Sequence, residues 1–247
     1  MFGLEEILRR RVSLLIAVVV IFSGVVVAED QADVASRIDQ VFAEYSAAGS
    51  PGVAVSVIRD GGVVFSKGYG MANLELEVPI TSKNVFYLGS VSKQFVASAI
   101  VLLDQEGKLS LDDDIRKYVP EFPDYGTPIA IRHLIHHTSG IRDYLELMGL
   151  AGLPLGTFHD NQGIVDMLAR QKALNFVPGE KFLYSNSGYL LLAVIVERAS
   201  GKSLREYAAE KVFEPLGMTN THYHDDYMHQ IPNPASGYYP RPDGTLS

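Results

Sequence analysis

Gly89-Ser90-Val91-Ser92-Lys93-Gln94-Phe95 opens a long apolar segment. Ser90 and Lys93 stand three residues apart, so on a helix they share one face and the amine lies beside the hydroxyl. Val91, Phe95, Val96, Ala97, Ala99, Ile100, Val101, Leu102 and Leu103 make the segment apolar nearly all the way round, which describes a helix buried inside a domain. Its N-terminus offers free backbone N–H groups and a partial positive charge to a developing anion. A serine needs a neighbour to take its proton, and an amine held away from bulk water can be that neighbour. The bland alternative is a Ser N-cap followed by a solvated Lys, and a bare Ser-x-x-Lys occurs by chance roughly once in a chain of this length. The buried context favours the chemical reading, acyl transfer through a covalent serine ester.

The chain has 247 residues, 47% of them apolar and 20% charged, which suits one large domain or two intimate subdomains. With no cysteine, a disulfide framework, a thiolate nucleophile and a Cys-based metal site are all excluded. A net charge of −8 argues against nucleic acid or an anionic membrane surface as the main partner. Arg9-Arg10-Arg11, the apolar run Val12 to Val27, and Val26-Val27-Ala28 before Glu29-Asp30 follow the order of a signal peptide. The expected organisation is therefore a signal peptide over 1–28 and one domain over 29–247, secreted or periplasmic. The alternative is an uncleaved membrane anchor over residues 12–28.

Along the mature chain, Val34, Ile38, Val41, Phe42 and Tyr45 predict an amphipathic helix. Val53–Ile58 and Val63–Gly68 predict strands joined by Arg59-Asp60-Gly61-Gly62, a strong hairpin signal. Gly107 predicts a helix C-cap, Ile131 to His137 a short helix, and Leu190 to Ala199 a second apolar helix. Residues 149–163 are expected to be a Gly-rich loop lining a cleft. Early strands followed mostly by helices predict an α+β fold, an antiparallel sheet subdomain beside a helical one.

Tyr184-Ser185-Asn186 precedes the second apolar helix. A phenol beside an ammonium favours its phenolate form and can relay a proton, and an Asn amide can orient a lysine and grip a carbonyl. Alone, the better reading would be a turn Asn capping a helix under a packed Tyr. Together with Gly89-Ser90-Val91-Ser92-Lys93, however, Tyr184-Ser185-Asn186-Ser187-Gly188-Tyr189 resembles the serine β-lactamase-related family. This family includes class C β-lactamases, D-Ala-D-Ala carboxypeptidases, D-aminopeptidases and β-lactamase-like esterases. Ile131-Arg132-His133-Leu134-Ile135-His136-His137-Thr138-Ser139-Gly140-Ile141, Val177-Pro178-Gly179-Glu180 and Phe213-Glu214-Pro215-Leu216-Gly217-Met218 extend the resemblance in family order from about Ile38 onward.

The resemblance implies a β-lactamase/transpeptidase-like fold and an exported serine hydrolase that cleaves a β-lactam, a D-amino-acid peptide or a small ester. It makes Ser90 the acylated nucleophile, Lys93 its activator, Tyr184 the general acid/base and Asn186 the residue binding both Lys93 and the substrate amide. The Ser90 N–H would form half of the oxyanion hole. The middle motif is Tyr-x-Asn, not the Ser-Asp-Asn of class A enzymes. A third family motif, Lys/His-x-Gly, does not occur after Asn186. The expectation is thus a chain lacking the family's last strands, with weak hydrolysis, and the rival reading is a non-catalytic penicillin-binding-like sensor or an inactive fragment.

No metal or organic cofactor is expected, and the partner is a small-molecule or peptide substrate. His133, His136 and His137 read as packing within a family block rather than as ligands. His222, His224 and His229 with Asp225 and Asp226 look more like a ligand cluster but lack family support, so no metal is assigned to them. Asp112-Asp113-Asp114 lacks the spacing of a calcium loop and predicts a capped, solvated turn.

Overall fold

The computed structural model describes residues 32–47, 49–154, 160–226 and 228–246. The expected signal peptide over 1–28, with its anchor alternative over 12–28, lies outside the described residues. The chain divides into two compact units, one built from the residues up to Tyr87 together with Ile231 onward, the other from Leu88–Gln230.

In the first unit, helix α1 (residues 32–41) leads through a 3-10 turn, Ala43–Ser46, to strands β1 (Val53–Arg59) and β2 (Gly62–Tyr69). These pair antiparallel from Val53↔Tyr69 to Arg59↔Gly62, with a register shift between Val57 and Ile58. The connection is Asp60-Gly61 with φ 51° and 76°, the two positive values that a tight hairpin turn requires and that Asp-Gly tolerates. A Cβ on Gly68 would sit 2.2 Å from the Ile80 carbonyl oxygen, so only glycine lets β2 lie that close to the backbone at Ile80. Asp39 on α1 accepts from Lys67 Nζ at 2.7 Å and from the Tyr69 hydroxyl at 2.6 Å, while Phe42 stacks on the Tyr69 ring at 5.5 Å. Short strands β3 (Met71–Asn73) and β4 (Val78–Pro79) form a second two-stranded pairing. Residues 231–246 return to it, with Ser236 N–H donating to Ala72 O and the Leu74 N–H donating to the Tyr238 hydroxyl.

The second unit is helical and holds α2 (Lys93–Gln105), α3 (Ile131–Ile135), α4 (Tyr144–Leu150), α5 (Asn161–Ala169), α6 (Asn186–Ser200) and α7 (Leu204–Ala208). Its core joins Val96, Ile100 and Leu103 of α2 to Ile131 and Leu134 of α3, Leu168 of α5, and Leu191, Leu192 and Ile195 of α6. Each Leu or Ile fully removed from water contributes roughly 1.5–3 kcal/mol, so this cluster holds the helices that carry the motifs. Gly107, with φ 69°, closes α2 as expected: Lys108 N–H reaches back to Leu103 O at 3.0 Å.

The structure departs from the sequence-based expectations at three places. The segment after Ser90 is not buried all round, since Val91 and Val101 are 54% and 39% exposed and only one face of α2 enters the core. The second apolar helix begins at Asn186 rather than Leu190, because Ser185 caps it by accepting from Gly188 N–H at 3.4 Å. Residues 149–163 are only partly loop. Met148 to Leu150 end α4 and Asn161 starts α5 under an Asp160 cap, while 155–159 lie outside the described residues.

Candidate active site

Ser90 sits in a 3-10 turn, Gly89–Ser92, that feeds directly into α2 at Lys93. The i,i+3 spacing places Lys93 Nζ within 3.1 Å of Ser90 Oγ, where it donates. The same Nζ donates to Asn186 Oδ1 at 3.0 Å and lies 4.9 Å from the Tyr184 ring centroid and 5.5 Å from that of Tyr189. The Tyr184 hydroxyl donates to Ser90 Oγ at 2.7 Å. Two motifs distant in sequence thus converge: the amine from the start of α2 and the phenol from just before α6 both reach the Ser90 hydroxyl, and the amide that opens α6 bonds the amine. Ser90 and Tyr184 are exposed, whereas Lys93 and Asn186 are half-buried.

Electrostatics set the phenol apart. Burial pushes the Tyr184 hydroxyl up, but its bonds to Lys93 and Ser90 and the Lys93 charge outweigh that and hold it below the ordinary tyrosine value. The Asp143 charge opposes this lowering. Burial, seconded by the Lys93 charge, also lowers His137, whose neutral Nδ1 accepts the Ser185 N–H at 3.1 Å. The His137 ring stacks on Tyr184 at 4.5 Å with a 29° tilt, backing the phenol from behind. His137 has φ 56°, unusual for a side chain of its size, and its carbonyl accepts Leu183 N–H at 2.9 Å. The neighbouring corner depends on Gly140, where φ is 73° and a Cβ would meet Phe176 O at 2.2 Å.

The family block around His137 therefore does more than pack: it fixes the phenol. His133 takes another task, accepting Ala130 N–H at its Nδ1 and so capping α3. Asp143, 8% exposed, accepts from Asn186 N–H at 2.5 Å and from Asn186 Nδ2 at 3.0 Å. Ser187, fully buried, accepts Tyr144 N–H and donates to Arg142 O, suturing the 142–144 turn onto α6. Sequence reasoning missed Asp143 and Ser187. The available signal was an Asp ahead of the apolar run Tyr144–Leu150, which marks a helix cap and nothing more.

His222, His224 and His229 do gather, with ring centroids 5.4 to 6.2 Å apart. Among the described residues no group of three His, Asp or Glu side chains is arranged to hold a metal ion. Asp114 caps the turn Ile115–Lys117 and Asp113 pairs with Lys117, so the aspartate run forms the capped turn expected of it.

The beta-lactamase family model matches residues 38–246. The chain belongs to the beta-lactamase family. Among its relatives within that family, penicillin-binding protein 4* of Bacillus subtilis is 36% identical over 187 residues, covering 74% of this chain and 41% of that protein. The D-aminopeptidase of Brucella anthropi is 37% identical over 170 residues, covering 68% of this chain and 32% of that protein. The octameric penicillin-binding protein homologue from Pyrococcus abyssi superimposes with a TM-score of 0.73 at 34% identity, over 87% of this chain and 49% of that one. The chain therefore spans less than half the length of these relatives. The β-lactamase/transpeptidase-like α+β fold expected from the motifs is the fold of this beta-lactamase-family chain.

Proposed function

We propose that this chain carries the acylation centre of an exported serine hydrolase acting on an amide or ester. The observation that carries the reading is the convergence of Lys93 Nζ and the Tyr184 hydroxyl on Ser90 Oγ, at 3.1 and 2.7 Å. Tyr184 as phenolate accepts the Ser90 proton along the 2.7 Å line while Oγ attacks the substrate carbonyl carbon. The tetrahedral oxyanion is met by the Ser90 N–H at the helix entrance. The carbon–leaving-group bond then breaks, and the phenol returns its proton to the departing amine or alcohol. Water repeats the sequence on the ester, with Tyr184 taking the water proton and Ser90 Oγ leaving with it restored. Lys93 keeps its positive charge against the phenolate, and Asn186 holds Lys93 in place.

Relatives named for penicillin binding and for D-aminopeptidase activity support β-lactams and D-amino-acid peptides as substrates. The basic and apolar pattern of residues 1–28 supports export. Steady-state assays with a nitrophenyl ester, a D-alanine anilide and a chromogenic β-lactam test the proposal on the protein and on Ser90→Ala. Turnover of at least one substrate that disappears in the variant supports it. Stoichiometric penicillin trapping without turnover would replace it with a sensor, and equal turnover by both proteins would end it.

A further inference from the structure

The Asn186 amide has two ends of nearly equal shape, and only its neighbours decide which faces Lys93. We propose that Asp143 is a positioning residue of the acylation centre, locking the Asn186 amide with Oδ1 toward Lys93 and Nδ2 away from it. The inference rests on the reading of Ser90 as nucleophile and Lys93 as its support.

The lock is two-sided. Asp143 Oδ2 accepts Nδ2 of Asn186 at 3.0 Å, and an ionised carboxylate can only accept. On the opposite end, Lys93 Nζ donates to Oδ1 at 3.0 Å, and an ammonium can only donate. Rotating the amide by half a turn would put acceptor against acceptor and donor against donor at the same time. With Asp143 8% exposed, water offers little relief for such a mismatch. Asp143 is itself fixed from both sides. Its Oδ1 accepts Leu145 N–H at 2.9 Å and its Oδ2 also accepts Asn186 N–H at 2.5 Å. The carboxylate therefore ties the first residue of α6 to the 142–144 turn and sets the amide's direction at once. Ser187, bonded to Arg142 O and to Tyr144 N–H, holds that turn in register.

Asp143→Asn tests the idea with little change in shape, because Asn caps helices as well as Asp does. Its amide, however, accepts from Leu145 N–H at one end and presents a donor to Asn186 at the other, which favours the flipped amide. The measurement is the rate of Ser90 labelling by a fluorophosphonate and the kcat and KM for a nitrophenyl ester, with unfolding temperature recorded beside them. The expected result is a loss of about 10- to 100-fold in labelling rate and kcat, the size of a misplaced catalytic group, with KM unchanged. The unfolding temperature should fall, because the new amide nitrogen cannot accept Asn186 N–H, so rates are compared where both proteins are fully folded. In an Asn186→Ala background, Asp143→Asn should add no further loss of labelling rate or kcat in the folded protein, since Asp143 reaches Lys93 only through that amide while its bonds to Leu145 N–H and Asn186 N–H serve the fold.

A second readout is independent of chemistry at Ser90. The Asn186 side-chain amide protons should be protected from exchange in the protein and lose protection in Asp143→Asn. Unchanged labelling in Asp143→Asn, fully additive losses in the double variant, or retained protection would each overturn the proposal. If the unaltered protein fails to label at Ser90, the acylation reading fails, and amide protection alone decides the role of Asp143.

Discussion

Tyr184 stands between opposing influences, and its behaviour tests how the catalytic side chains cooperate. Burial and the Asp143 charge disfavour the phenolate, whereas the Lys93 and Ser90 bonds and the Lys93 charge favour it and prevail. In the proposed mechanism the phenolate accepts the Ser90 proton, so the acylation rate should rise with pH through an ionisation below the ordinary tyrosine value. Tyr184→Phe should abolish that limb, and Lys93→Ala should move it to higher pH by removing the stabilising charge. Each should slow acylation at least about a hundredfold, the usual cost of losing a general base. Because the two groups serve one proton path, the double variant should lose little more than either single one. Stopped-flow acylation across pH checks this, and strictly additive losses would contradict it. The contact between Ser90 and Lys93 is readable from three-residue spacing because helix geometry brings such side chains together. Asp143 is not readable that way, since its contact with Asn186 spans 43 residues and leaves no local pattern.

Among the helices, α6 carries most of the organisation, and its far end makes a separate prediction. Arg198 donates to both Glu121 carboxylate oxygens at 2.8 and 2.7 Å, to Tyr118 O at 2.9 Å and to Gln162 Oε1 at 3.1 Å. The Arg198 bond, against the opposing effect of burial, lowers the Glu121 carboxyl from 4.5 to about 2. A carboxylate depressed in the folded state stabilises above its unfolded value and loses that effect as pH falls through its folded one. Glu121→Gln should therefore cost on the order of 1 kcal/mol near neutral pH, solvent screening removing the rest. In urea titrations the difference should persist above pH 4.5 and fade toward about pH 2. A deficit independent of pH would assign the pair to packing.

The hairpin of β1 and β2 is legible because Asp60-Gly61 supplies the turn and the flanking apolar residues supply the strands. The start of α6 is not, because Asn186-Ser187-Gly188 is turn chemistry by propensity. Those residues become helical only when Ser185, Asp143 and the 142–144 turn take up their polar groups.

For the chain taken entire, order of motifs conveys family and fold, while substrate choice lies in cleft contacts that the motifs do not encode. The N-terminal pattern makes its own prediction: exported material should begin at Glu29, after the small-residue site ending at Ala28. N-terminal sequencing that finds Met1 retained would replace secretion with anchoring.

The claim on which all of this depends is that Ser90 is the nucleophile. Peptide mapping by mass spectrometry after treatment with a fluorophosphonate or a penicillin tests it most directly. A single adduct on Ser90 is expected, absent in Ser90→Ala and slowed in Lys93→Ala. An adduct on Ser92, Ser185 or Ser187 instead would contradict it.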